Sequence, residues 1–171
     1  SPVNQMINNE SIVEEVVGQF GQKVFGFEEP FGLLTFTTNA SDLIEVVDYL
    51  KNHPEFKFNF LTDIAGIHFP DNAGGELCSM CMIHSWENNI RVRIKVFVPI
   101  ADPKVPTLST LFASANWMER ETFDFYGIEY IGHPNLKRIL NMEDMDYFPM
   151  RKEYPLEDAT REDKIDALFG R

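Results

Sequence analysis

The clearest β signal in the chain lies between Leu77 and Pro99, where apolar and charged residues alternate in the second half, and it predicts a β-hairpin. Leu77 to Trp86 forms the first arm, Glu87-Asn88-Asn89 the turn and Ile90 to Pro99 the second arm. In that second arm Ile90, Val92, Ile94, Val96 and Val98 share one side, and Arg91, Arg93 and Lys95 share the other. One face is therefore expected to meet the core and the other to meet water or a partner. Helical spacing appears earlier in the chain. Asn9 or Ser11 is expected to begin a helix, in which Ile12, Val13, Val16, Val17 and Phe20 follow a Ser11–Glu14 pair that reads as a capping box, and Gly21 closes the segment. Leu33 to Thr37 read as a strand, and Ser41 to Lys51 as a helix with Leu43, Val46, Val47 and Leu50 facing inward. Asn52-His53-Pro54 ends that helix, and Phe56 to Ile67 contains a further strand with Phe58 and Phe60 on one face and Asp63 near its end. After the hairpin, a short helix from about Leu108 to Ala113 leads to Asn116.

The stretch from Asn116 to Leu156 is patterned differently. It opens as a helix of roughly three turns, with Asn116 as the expected cap, Glu119 completing a capping box and Gly127 as the stop. Arg120 and Asp124 lie one turn apart and are expected to pair. Beyond Gly127 regular period is lost. Gly132-His133-Pro134-Asn135 forces a turn, and Leu136 to Leu140 read as a short helical turn. Acidic and aromatic residues then alternate irregularly up to Pro155-Leu156. Such a segment is too apolar to float in solvent and too irregular to make its own core, so it is expected to lie along a surface. The element order predicts an α+β fold, a mainly antiparallel sheet with helices on one face, followed by an extended irregular C-terminal arm. The expected division is an α+β body over 1–115, a signature helix and partner-clamping extension over 116–156, and a charged tail over 157–171.

Charge sharpens this division. Residues 1–90 hold 3 Lys and Arg against 13 Asp and Glu, whereas residues 91–171 hold 12 against 14, so nearly all of the net −12 sits in the front half. A balance of this sign argues against nucleic acid, whose phosphates need clustered cations. The mixed second half suits a surface that meets protein. No secretory leader is read at the start and no apolar run approaches the ~20 residues of a membrane span, so any membrane association is expected to come through partners.

Candidate chemistry is sparse. Cys78 and Cys81 form a C-x-x-C, but residues three apart in a strand project to opposite faces, and ordinary buried thiols are expected rather than a metal or redox pair. His53, His68 and His84 are dispersed and match no metal-binding spacing. His133 in its turn has no nearby Ser or Cys nucleophile and is expected to satisfy backbone carbonyls; an autonomous enzyme using it with neighbouring acids is the alternative. Glu119, Arg120, Glu121 and Asp124 are expected to form a paired, partly buried network, and Arg138, Arg151 and Lys152 to make salt bridges with a partner's carboxylates.

Several of these residues carry a resemblance. Glu119-Arg120-Glu121, Asp124, Gly127-Ile128, Gly132-His133-Pro134, Leu136 and Arg138-Ile139-Leu140 resemble the signature of the thirty-kilodalton peripheral-arm subunit of respiratory complex I, proton-pumping NADH:quinone oxidoreductase. Leu61-Thr62-Asp63-Ile64, the Arg91 to Pro99 strand, Ala115-Asn116-Trp117 and Arg151-Lys152-Glu153-Tyr154-Pro155-Leu156 fall in that family's order from about Phe60 onward. The chain departs from it at Tyr147-Phe148-Pro149-Met150, where the family usually reads Gly-His-Pro-Leu. The resemblance implies a cofactor-free, non-catalytic subunit on the cytoplasmic side of the cell membrane, packed among other peripheral-arm subunits and chiefly against the large subunit of the quinone module. Flavin, iron–sulfur clusters and quinone would belong to neighbouring subunits. It implies partner contacts through Glu119, Arg120, Glu121, Asp124, Gly127, His133, Pro134, Arg138, Arg151 and Lys152, with no catalytic, cofactor or metal ligands. Related subunits of energy-converting hydrogenases and of other dehydrogenases are the alternative assembly.

Overall fold

The predicted hairpin forms the centre of the sheet. In the computed structural model, which describes residues 7–136 and 148–151, its arms pair in continuous register from Leu77 opposite Val98 to Ser85 opposite Ile90. Asn89 closes the loop with φ 52°, a left-handed conformation that asparagine tolerates better than most residues. The elements in chain order are α1 (Asn9–Phe20), β1 (Val24–Glu28), β2 (Leu34–Thr38), α2 (Leu43–Asn52) and β3 (Phe60–His68), then the hairpin strands β4 (Leu77–Ser85) and β5 (Ile90–Val98), and finally β6 (Lys104–Pro106), α3 (Ala115–Tyr126) and β7 (Glu129–Ile131). Five strands lie in the order β1-β2-β5-β4-β3, and β6 and β7 form a separate parallel pair. Every neighbour pair in the large sheet is antiparallel except β2 with β5. The fold is α+β, with the helices on one face of a mainly antiparallel sheet.

One core lies between the sheet and these helices. Val92, Ile94, Val96 and Val98 of β5 are buried there, as their alternation predicts, and Leu43, Val46, Val47 and Leu50 of α2 close over them. Each such side chain contributes about 1.5–3 kcal/mol when it leaves water. The opposite face of the sheet carries Arg91, Arg93 and Lys95, but it is drier than expected. Arg93 is only 1% exposed and donates from Nε to Thr35 Oγ1 at 3.2 Å.

Local signals differ from expectation at several points. Asn8, not Asn9 or Ser11, caps α1: its side chain accepts from Ser11 N, while the Ser11 hydroxyl accepts from Asn8 N. Asn, Asn and Ser lie close together and offer competing caps, and the structure selects the earliest. Strand β1 has no counterpart in the apolar pattern, because Gly26, at φ +64°, and a register shift between Phe25 and Glu28 interrupt its alternation. Phe58 and Phe60 do not share a face. Lys57 turns the chain at φ 52° and β3 begins only at Phe60, so Phe58 lies outside the strand and is fully buried while Phe60 is half-exposed. Residues 108–113 make hydrogen-bonded turns, with Leu111 and Phe112 both donating to Leu108 O, in place of a regular helix. The short turn predicted after Leu136 and the tail from 157 lie outside the described residues.

Candidate interface around the third helix

Helix α3 packs along the edge strand β3, and a glycine makes room for it. A Cβ on Gly66 would stand 2.6 Å from the Tyr126 ring, so only glycine lets that ring lie against the strand. The Thr122 hydroxyl donates to Ile64 O and the Ser114 hydroxyl to Leu61 O, each at 3.4 Å, which fixes the helix lengthwise. Ser114 rather than Asn116 occupies the cap position, without a side-chain cap bond. Gly127 ends the helix in the left-handed region, at φ 78°, and donates to Phe123 O.

The acidic residues of α3 separate into inner and outer groups. Glu119 has no exposed surface, and instead of closing a capping box it accepts from the Thr107 hydroxyl and from Leu108 N at 2.8 Å. Burial pushes its carboxyl up to about 7 even though both hydrogen bonds favour the charged form. Asp124 is likewise fully buried. Arg120 does not pair with it; the guanidinium lies over the Trp117 ring, 5.7 Å from its centre. The Trp117 indole donates to Glu121 at 2.7 Å on the outer side, where Trp117 is 52% exposed. Burial, with the charge of Glu121 adding to it, raises the carboxyl of neighbouring Asp63 above the usual range.

The turn after β7 is tied back to α3. His133 Nδ1 accepts from Asn135 N at 2.9 Å, which leaves Nε2 to donate to Asn116 O at 2.9 Å. Both ring nitrogens are held by backbone, and Pro134 beside them is exposed. The segment Phe148–Arg151 seats on the far end of α3. Met150 N donates to Phe125 O, and Arg151 Nε to Tyr126 O at 2.6 Å, while the guanidinium covers the Phe148 ring at 4.8 Å. A cation there also answers the negative end of the helix dipole. A Cβ on Gly127 would sit 2.5 Å from that guanidinium. Of the residues expected at a partner surface, Glu119, Asp124 and Gly127 are therefore turned into the chain itself, and Arg151 grips its own helix. Arg120, Glu121, His133 and Pro134 reach the surface in full or in part. Arg138 and Lys152 lie outside the described residues.

Residues 36–160 match the family described as respiratory-chain NADH dehydrogenase, 30 Kd subunit. The chain belongs to this family. Among curated members of the 30-kDa family, the corresponding NADH-quinone oxidoreductase subunit of Nocardioides sp. is 39% identical over 125 residues, 73% of this chain and 50% of that protein. The second such subunit of Rhizobium meliloti is 38% identical over 142 residues, covering 82% of this chain and 76% of the relative. The match thus spans about half the length of the first and three quarters of the second. A trypsin-resistant fragment (1-134) of Nqo5 superimposes with a TM-score of 0.63 at 29% identity, over 74% of this chain and 98% of the fragment. At the level of fold alone, a chain of an archaeal membrane-bound sulfane sulfur reductase covers 90% of this chain with a TM-score of 0.72 at 18% identity, and 89% of its own length is matched.

In this member of the 30-kDa family no three His, Cys, Asp or Glu side chains among the described residues group as a metal site, and no described helix is long and apolar enough to cross a membrane. Cys78 and Cys81 are free, lie on opposite faces of β4, and burial pushes both thiols up to about 12. A further group falls outside the Asn116 to Leu156 stretch altogether. Phe60, His84 and Trp86 gather at one end of the open sheet face, and the apolar pattern hints at them only through a Trp at the tip of the hairpin.

Proposed function

We propose that this chain is a structural, non-catalytic subunit of the peripheral arm of a proton-translocating NADH:quinone oxidoreductase. It docks on the large subunit of the quinone module at the cytoplasmic face of the cell membrane. Flavin, iron–sulfur clusters and quinone belong to neighbouring subunits, and this chain supports assembly and hence electron transfer from NADH to quinone. The observation that carries the reading is membership of the 30-kDa family. The geometry around α3 supports it, because Glu119 and Asp124 are buried in the chain's own joints and His133 is tied to backbone. His133 in particular has no nitrogen left to act as a base, which weighs against an independent small enzyme.

A second assembly is favoured by one observation only, the fold shared with the archaeal sulfane sulfur reductase chain. In such an assembly this chain would serve a different electron donor. The test of the main reading is replacement of Arg120 by Ala in the native complex, scored by native gel and by NADH:quinone activity per assembled complex. Assembly is expected to fall while turnover per assembled complex stays constant. Normal assembly with a lowered rate would place this chain in the chemistry and sink the proposal. Purification of a wild-type complex without NADH-binding subunits would favour the second assembly.

A further inference from the structure

The sheet face opposite the helices ends in a hollow of about 380 Å³ lined by Phe60, Leu61, Thr62, His84 and Trp86. Phe60 and Trp86 form its walls, 52% and 73% exposed, with ring centres 6.2 Å apart. An exposed aromatic pair of this size loses more to water than a lone surface side chain does. His84 is only 7% exposed, and its Nε2 is buried with no hydrogen-bond partner. A buried nitrogen left without a partner is costly, so the hollow is chemically incomplete in the free chain.

The charge beside the hollow indicates what completes it. Arg91 lies directly across the sheet from His84, is exposed, and makes no ion pair among the described residues. Of the cations that follow it on β5, Arg93 is buried and Lys95 pairs with Glu28 at 2.7 Å, so Arg91 is the one this row presents to solvent, in a chain whose net charge is −12. An exposed cation beside an aromatic hollow complements a segment that carries a carboxylate next to an apolar anchor. We infer that this face docks a neighbouring protein of the same complex. That neighbour seats an apolar side chain between Phe60 and Trp86, offers a hydrogen-bonding group to His84, and sets a carboxylate on Arg91. The inference rests on the subunit reading above and adds a second contact region to it, away from α3's signature residues.

Hydroxyl-radical footprinting of the full chain, free and within the complex purified from its native membrane, tests this directly. Oxidation of Trp86 and Phe60 is expected to fall about tenfold on joining the complex. Trp86→Ala should lower retention about 30-fold, the loss typical of a central aromatic anchor. Arg91→Glu should lower it about tenfold, with the deficit shrinking at high salt. His84→Phe keeps the ring but removes the nitrogen, so it should raise the stability of the free chain while lowering retention. A merely structural histidine would not split these two readouts in opposite directions. Circular dichroism confirms that each variant is folded. Equal oxidation of Trp86 in the free and assembled states, or wild-type retention of all three variants, overturns the inference and leaves the subunit reading intact. Protection by anionic phospholipid vesicles without protection in the complex also overturns it and assigns the face to a membrane. Failure of the wild-type chain to enter any complex overturns both readings.

Discussion

The inner side of α3 and the open face of the sheet solve opposite problems. Under α3, Glu119, Thr107, Thr122 and Gly127 are fitted to one another, and the polar groups named there find partners within the chain. On the open face, Trp86 and Phe60 stand in solvent over a histidine nitrogen with no partner. The first region holds this chain together, and the second is shaped for something else. Residues that dominate a family signature are thus not necessarily the ones that touch the partner. Some of them orient the helix and the turns that present the rest.

The contrast breaks most severely at Gly127. Gly127→Val sets a branched side chain at φ 78° and within 3 Å of Arg151 and Phe148, so a loss of more than ~3 kcal/mol is expected in urea unfolding. Glu119 gives the next largest effect. Its folded carboxyl lies above the unfolded one, at about 7 against 4.5, so the folded state binds more protons between these values. Its contribution is therefore fully present below about pH 4.5 and is lost as pH rises towards 7, on the order of 3 kcal/mol in total. Glu119→Gln should remove that slope, and an unchanged difference between the two proteins at pH 5 and pH 8 would contradict the assignment. Arg151→Ala should cost about 1–2 kcal/mol, the value of a charged hydrogen bond to a helix end, with the five-stranded sheet still formed by circular dichroism. Trp86→Ala should change the stability of the free chain by less than ~0.5 kcal/mol, because the ring has little to lose on the inside. A larger loss there would move Trp86 from the partner-facing to the self-supporting class.

The two regions also differ in how far residue pattern alone discloses them. The β4–β5 hairpin is legible because apolar and charged residues alternate without a break from Ile90 to Val96, and α2 because four apolar residues fall on one stripe. Strand β1 is not, since a glycine and a register shift erase its period. Glu119 misleads for a physical reason: an acid in the first turn of a helix has a local role available, and here a loop distant in sequence claims it instead. Burial of Arg93 and exposure of Trp86 are hidden for the same reason. Each depends on what the fold brings alongside, and no window along the chain contains that fact.

One pairing sets the order in which this protein can be made. Leu34 meets Val92, 58 positions further on, across the large sheet's sole parallel seam. At ribosomal speeds of roughly 5–20 residues per second, β1 and β2 emerge several seconds before β5 can cover them. The nascent chain must therefore carry β2 with one edge unpaired through that interval, and the five-residue length of the strand keeps that edge short.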